Sequence, residues 1–314
     1  MNSKIERIST LNMSRNDWLT ERKKGIGGSD AAAILGMNRY RSAFDVYADK
    51  LDIAPEAPDN EAMKQGRDLE EYVARRFSEE TGKKVRRENA ILYNHSYPFA
   101  HANIDRAIVG EKAGLECKTT SVLNLKRYKN GDFPEEYYVQ CMHYLMVTGF
   151  ERWYLAVLVF GTDFKVFTIE RDEEEIEALC AAEKNFWDNH IVKRRPPSPA
   201  GTDATDAVIN HLYPTDDGSS VDLSGFDAEI KRLTDVKRLK GQYEKEQKAL
   251  EQKLKLYMGS STYGTSEHGS VTYKEQERTS YDTKKIIADF VPEGEDLSDY
   301  IKTTKTRVFR MHNA

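Results

Sequence analysis

Residues 100–119 read AHANIDRAIVGEKAGLECKT, two runs of strand-forming residues on either side of Gly110-Glu111-Lys112. The turn-prone centre and the β-branched and aliphatic flanks predict strands over 100–109 and 114–119, joined antiparallel. Alternation then sends Leu115 and Cys117 to one face of the second strand and Glu116 and Lys118 to the other. Asp105, on the first strand, is brought beside Glu116 by the turn. An aspartate, a glutamate and a lysine at one point suit phosphodiester hydrolysis. That reaction needs hard oxygen ligands for a divalent cation, an amine to orient or deprotonate a water, and positive charge for the transition state. The same pattern also arises as an ordinary cross-strand ion pair, so the surrounding residues matter.

Helices are expected before this stretch: over 18–24, over 31–35 behind a Ser29-Asp30 cap with Gly36 as its end, from Ser42 onward, and over 60–81 with Gly82 as the stop. A strand over 84–92 would complete a three-strand meander. Beyond it the pattern predicts a helix from Pro134 to Gly149 and strands over 152–160 and 164–169 around Gly161-Thr162-Asp163. A last helix carries Ile176, Leu179, Cys180, Phe186, Trp187 and Ile191 on one side. This order predicts an α/β fold, a mixed central β-sheet flanked by helices, with a small C-terminal helix-and-strand module. Arg195-Pro196-Pro197-Ser198-Pro199 marks a boundary, giving a catalytic domain over 1–195, an acidic linker over 196–228 and an accessory module over 229–314.

Composition narrows the class. With 39% hydrophobic and 32% charged residues, the chain contains no run of about 18 apolar residues able to span a bilayer. No membrane association is expected. The first ten residues include Lys4, Glu6 and Arg7 and lack the apolar run of a secretory signal, so a cytoplasmic location is expected. Cys117, Cys141 and Cys180 are odd in number and form no Cys-x-x-Cys pair, which argues against a disulfide framework or zinc knuckle. They are also too few for a four-cysteine iron–sulfur cluster. The net charge of -5 is unusual for a DNA-binding chain, but the acid is segregated. Residues 201–230 hold seven acidic residues and no Lys or Arg, whereas Arg22-Lys23-Lys24, Lys83 to Arg87 and Lys126 to Lys129 are basic clusters.

Three further groups bear on the chemistry. Gly66 stands one turn before Glu70, which would let that helix approach the sheet and hand Glu70 to a cation. Gln140 and Tyr144, spaced i, i+4, share a helix face. Gly27-Gly28-Ser29 opens a helix, where free backbone N–H groups can hold an anion, and Arg22 could add a charge-assisted grip. Ser29 as a simple cap and Arg22 as a surface residue is the alternative.

Taken in order, Trp18-x3-Arg22, Gly25-Ile26-Gly27-Gly28-Ser29-Asp30, Gly66-x3-Glu70, Asp105, Glu116-Cys117-Lys118 and Gln140-x3-Tyr144 resemble the YqaJ-like viral recombinases. These are relatives of phage lambda exonuclease within the restriction-endonuclease-like PD-(D/E)XK nucleases. The resemblance covers about residues 12–192. It implies an enzyme using Mg²⁺ or Mn²⁺, two ions per site, that resects linear double-stranded DNA ends 5′-to-3′ and leaves a 3′ single strand for an annealing protein. It makes Asp105, Glu116 and the Cys117 backbone carbonyl the metal ligands and Lys118 the residue that activates water. Glu70 would assist at the metals, and Gln140, with Tyr144 beside it, would orient Lys118 or the phosphate. Arg22, Ser29 and Gly28 would hold the DNA 5′-phosphate. Relatives form a ring of three subunits, which implies a homo-oligomer. One departure stands out: Arg106 follows Asp105 where lambda-type enzymes usually carry glycine, which makes Arg106 a candidate DNA contact.

Toward the C-terminus, Leu233, Val236, Tyr243, Leu250, Leu254 and Tyr257 follow roughly heptad spacing in a helix expected to be interrupted at Gly241. Strands are expected at Ser270 to Lys274 and at Thr306 to Arg310, with a helix over 284–290 between them. This tail would dock the annealing protein, guide DNA with Lys302, Lys305, Arg307 and Arg310, or pack as an appendage. Two other readings of the whole are a site- or structure-specific endonuclease on the same fold, and a DNA-end-binding scaffold without catalysis. The Arg22–Ser29 pocket favours an end-reader, and a scaffold has no reason to keep Asp105, Glu116 and Lys118 together.

Overall fold

Side-chain caps set several of the helix starts. In the computed structural model, which describes residues 5–55, 60–292, 295–304 and 306–311, the chain forms two units, Met1–Pro214 and Thr215–Ala314. The first opens with β1 (Ile5–Ser9), α1 (Arg15–Arg22), α2 (Gly28–Ile34), α3 (Ala43–Lys50) and α4 (Glu61–Thr81). Ser14, Ser42 and Asn60 cap α1, α3 and α4 by accepting a first-turn N–H, and Gly82 ends α4 in the left-handed region. β2 (Val85–Arg87), β3 (Ala90–Asn94), β4 (His101–Ala102), β5 (Arg106–Ile108) and β6 (Ala113–Thr120) follow. Then come α5 (Glu135–Thr148), β7 (Arg152–Val159), β8 (Asp163–Glu170), α6 (Glu173–Phe186) with a π-helical extension Trp187–Val192, and α7 (Asp203–Leu212).

A five-stranded sheet in the order β2-β5-β6-β7-β8 forms the centre. Only β6 and β7 run parallel, because α5 carries the chain between them, and the other pairs are antiparallel. The expected mixed sheet between helices is therefore present. On one face Val73, Ala74 and Phe77 of α4 pack against Ile108, Leu115, Tyr154 and Ala156. On the other, residues of α2, α3, α5 and α6 bury the larger core around Trp153, Leu155 and Val157. Gly114 is needed for close approach: a Cβ there would lie 2.2 Å from the Trp153 ring.

The meander is not continuous. The run 84–92 divides into β2 and β3, and 100–109 into β4 and β5; β3 and β4 join β1 in a separate three-stranded sheet. Each of the two runs thus begins in one sheet and ends in the other, and Asn103, Ile104 and Asp105 lie at the crossing, outside any ladder. Ser29 is not a cap either. Gly27 holds that position, and the Asp30 carboxylate accepts its N–H at 3.0 Å.

The acidic segment also differs from a linker over its first half. Thr202 caps α7, Val208 buries against Phe44 and Ala48, and the Thr202 and Thr205 hydroxyls donate to Asp45 of α3 at 3.3 and 3.0 Å. Acidic residues at 203 and 206 fall on the solvent side and in the first turn, so composition concealed an amphipathic helix. Ending the chain after Pro199 is expected to destabilise the first unit by roughly 1.5–3 kcal/mol through loss of the buried Val208 side chain. Ending it after Pro214 is expected to leave that stability intact. Denaturant midpoints of the two truncations check this, and equal midpoints would overturn it.

In the second unit, α8 (Asp227–Met258) runs unbroken through Gly241, since a single glycine costs only about 1 kcal/mol in a long helix. β9 (Tyr263–Ser266) and β10 (Gly269–Thr272) pair as a hairpin and α9 (Thr283–Phe290) follows. The expected strand over 306–310 does not form, and Lys305 lies outside the described residues. Among the described residues no helix is long and apolar enough to cross a membrane.

Candidate active site

β6 delivers two of the chemical groups. Leu115 and Cys117 face the α4 core, and Glu116 and Lys118 point the opposite way, toward α5. Asp105 stands one step beyond the last β5–β6 ladder pair, Arg106 with Leu115, so it sits across from Glu116. Having left the ladder, Asp105 turns its carboxylate to the backbone it would otherwise pair with: its Oδ2 accepts the Cys117 N–H at 2.7 Å. Lys118 Nζ donates to Glu116 Oε1, and Gln140 Nε2 of α5 donates to the same oxygen at 2.8 Å and to Tyr144 Oη at 2.9 Å. Asp105, Glu116, Lys118, Gln140 and Tyr144 are therefore gathered in one place.

The electrostatics are those of crowded acid. Burial first, then the neighbouring Glu116 and Glu70 carboxylates, push the Asp105 carboxyl well above the usual range. Burial opposes the charge on Lys118, but Glu116 and Asp105 outweigh it and raise the pKa of the amine. Glu116 Oε2 is buried without a hydrogen-bond partner, an arrangement costly unless a cation or donor meets it. Two mutually repelling carboxylates, Asp105 at the cleft and the buried Glu116 with its unpartnered oxygen, fit a hard divalent cation. Among the described residues, no three His, Cys, Asp or Glu side chains already stand together as ligands.

Arg106 holds one of the neighbouring carboxylates, Glu70. Its side chain is 3% exposed and donates to Glu70 Oε1, to Glu71 Oε2 at 3.0 Å and to the Asp105 carbonyl at 2.6 Å. The candidate DNA contact thus has both terminal nitrogens of its guanidinium directed at protein oxygens. Glu70 comes near Asp105 as Gly66-x3-Glu70 led one to expect, but its carboxylate is directed to Arg106.

The second group lies on α1 and α2. Arg22 stacks over the Trp18 ring at 4.5 Å and donates to Ser29 Oγ at 3.2 Å, while its Nε is buried and unpartnered. Gly28 is buried against the other group: a Cβ would fall 2.6 Å from Tyr144 Cε1 and 3.1 Å from Gln140 Cγ. The glycine thus lets α2 touch the α5 face that carries Gln140. A cleft of about 190 Å³ is lined by Trp18, Glu70, Asn103, Asp105 and Arg106 among others, so Trp18 and Asp105 share one opening.

Sequence reasoning missed several supports. Tyr137 lies under Lys118 Nζ, 5.0 Å from the ring centre; its i, i+3, i+7 spacing with Gln140 and Tyr144 was the available signal. His101 Nε2 meets the Arg22 carbonyl at 3.0 Å and its Nδ1 meets Asn103, whose Oδ1 accepts Trp18 Nε1–H at 3.3 Å. Burial, with Lys50 nearby, pushes the His101 imidazole down to about 3, so it is neutral with one donor and one acceptor nitrogen. Beneath Arg22, the fully buried Asp30 pairs with Arg41 at 2.5 Å and Lys50 at 2.6 Å.

A family description of the YqaJ-like viral recombinase domain matches residues 17–151. The chain is 39% identical over 297 residues to the uncharacterized protein YqaJ of Bacillus subtilis (strain 168), which covers 92% of this chain and 93% of that protein. Among solved structures it is similar to an alkaline exonuclease from Laribacter hongkongensis, with a TM-score of 0.49 and 20% identity over 57% of this chain and 93% of that one. A phage-related exonuclease from Haemophilus somnus 129PT gives a TM-score of 0.42 and 14% identity, over 55% and 96% of the respective chains.

Proposed function

This chain belongs to the YqaJ-like viral recombinase family, and on that premise we propose that it is a metal-dependent DNA exonuclease that resects linear duplex ends 5′-to-3′. The observation that carries the reading is the convergence of Asp105, Glu116 and Lys118 beside a cleft whose other wall is Trp18, the platform of Arg22. Asp105, Glu116 and the Cys117 backbone carbonyl would hold Mg²⁺ or Mn²⁺, which supplies Lewis-acid polarisation of the scissile phosphate when bound. Lys118, kept protonated by the neighbouring carboxylates, orients a water and serves as a proton donor, held for this between Glu116 and the Tyr137 ring. Gln140 fixes the Glu116 carboxylate and is itself fixed by Tyr144, so the free Oε2 keeps its direction. Arg22 and Ser29 grip the 5′-phosphate, and the separation of that grip from the acid pair sets where the strand is cut.

The remaining partners follow from the same reading: double-stranded DNA ends as substrate, a single-strand annealing protein as recipient of the 3′ strand, and a homo-oligomeric ring of three as the working assembly. A cytoplasmic location accords with it. We assign the catalytic work to the first unit and partner docking to the second.

Linear and closed circular duplexes, with and without 5′-phosphates, incubated in Mg²⁺ and in chelator, test the proposal. Digestion is expected only of linear DNA and only with the metal, and faster from phosphorylated ends. Arg22→Ala should erase that preference, by about tenfold or more if the charge-assisted grip contributes about 1.5–3 kcal/mol. Cutting of the closed circle would replace the exonuclease with an endonuclease.

A further inference from the structure

The loop that leads from Arg22 to Ser29 closes around one buried side chain, His101, which is 0% exposed. A Cβ on Gly25 would lie 3.2 Å from its Cδ2, and one on Gly27 3.0 Å from its Cε1, so the two glycines let the loop wrap the ring. The His101 N–H donates to the Ile26 carbonyl at 2.9 Å. Its own carbonyl accepts His143 Nε2–H at 2.9 Å, and the other nitrogen of that second ring meets the equally buried Glu183 at 2.7 Å. The bonds of the His101 side chain have one possible direction. The Arg22 carbonyl can only accept, so Nε2 of the neutral ring carries the proton, and Nδ1 is left to accept the Asn103 amide N–H at 3.2 Å. Asn103 Oδ1 in turn accepts from Trp18 Nε1, whose ring lies under the Arg22 guanidinium. Trp18, Asn103, His101 and Arg22 thus form a closed circuit, from the platform of the guanidinium to the backbone that carries it.

We propose that His101 is a positioning residue for DNA-end recognition, which through Arg22 and Trp18 fixes where the guanidinium stands to receive a 5′-phosphate. The inference rests on the reading of Arg22 and Ser29 as the phosphate grip, and adds what holds that grip in place before DNA arrives. A long side chain ordered only on binding gives up its rotamer freedom at that moment, so an arginine already stacked and hydrogen-bonded holds its anion more tightly. His101 Nε2–H and Lys50 Nζ, at 3.0 and 2.9 Å, together saturate the Arg22 carbonyl and pin the last turn of α1, from which the side chain leaves. The Arg22 Nε, buried and without a partner, is the group that an arriving phosphate oxygen would satisfy. His101 itself touches no substrate.

Binding of short linear duplexes with 5′-phosphate or 5′-hydroxyl ends to the full chain in chelator, read by fluorescence anisotropy, tests this without hydrolysis. The wild type is expected to favour the phosphorylated ends. His101→Phe keeps a ring against Gly25 and Gly27 but removes both side-chain hydrogen bonds. It is expected to reduce the preference roughly three- to tenfold, the range for loss of a neutral hydrogen bond, while affinity for hydroxyl ends stays close to wild type. Should that variant fail to fold, Trp18→Phe leaves an aromatic ring under Arg22, opens the circuit at Asn103 and is expected to move the preference the same way. An unchanged preference in a folded variant, or an equal loss of affinity for both kinds of end, would overturn the proposal. A wild type that binds the two ends alike would overturn the phosphate-grip reading itself, and this inference with it.

Discussion

Lys118→Met is expected to lower kcat on a linear duplex by about 10²–10⁴-fold, the range for loss of a positioned general acid or base. The geometry separates this loss from binding. Lys118 is largely enclosed, with its amine on Glu116 and over Tyr137, so it adds little to the field that draws in a phosphate backbone. Affinity for duplex ends, read by fluorescence anisotropy, should therefore stay close to wild type while single-turnover cleavage collapses. Methionine preserves the length and apolar stem, so the strand and its α4-facing core keep their packing. Cleavage within tenfold of wild type would remove Lys118 from the chemistry.

Asp30→Asn should cost the first unit about 3–5 kcal/mol, as expected when one partner of a buried ion pair is removed and the other stays charged. Asp30 and Lys50 side chains are each 1% exposed, and Arg41 closes the group from outside. The same carboxylate also caps α2 at Gly27, and Lys50 Nζ holds the Arg22 carbonyl at 2.9 Å. Removing it should therefore loosen the Arg22 grip as well as the fold. Burial alone would raise the Asp30 pKa, but Lys50 and then Arg41 outweigh it and hold the group well below 3.8 in the folded chain. Its folded value being depressed, its contribution is fully present above the unfolded pKa near 3.8 and fades as pH falls below that toward the folded value. Wild type and Asp30→Asn should then converge in stability in strong acid and diverge near neutrality. Denaturant unfolding at several pH values measures this, and a neutral-pH difference under about 1 kcal/mol would contradict the buried-pair argument.

Much of this molecule was readable in one dimension. Period-two alternation at Leu115-Glu116-Cys117-Lys118 placed the acid and the amine on one face, because side-chain direction in a strand depends only on the local backbone. Helix limits at Asn60, Gly82, Pro134 and Gly149 were equally local, set by caps and by left-handed glycines. The acidic composition around α7 hid a helix for the opposite reason: what orders it is Val208 against α3, a contact no neighbouring residue announces. Arg106 shows the limit most clearly. Beside Asp105 it reads as a cation for DNA, and the approach of α4 brings it to Glu70 and Glu71. The sequence by itself determined which groups are available and on which face each strand or helix carries them. Tertiary structure decided which of those charges meet each other first, because pairing in a buried site depends on long-range packing and outweighs any local preference.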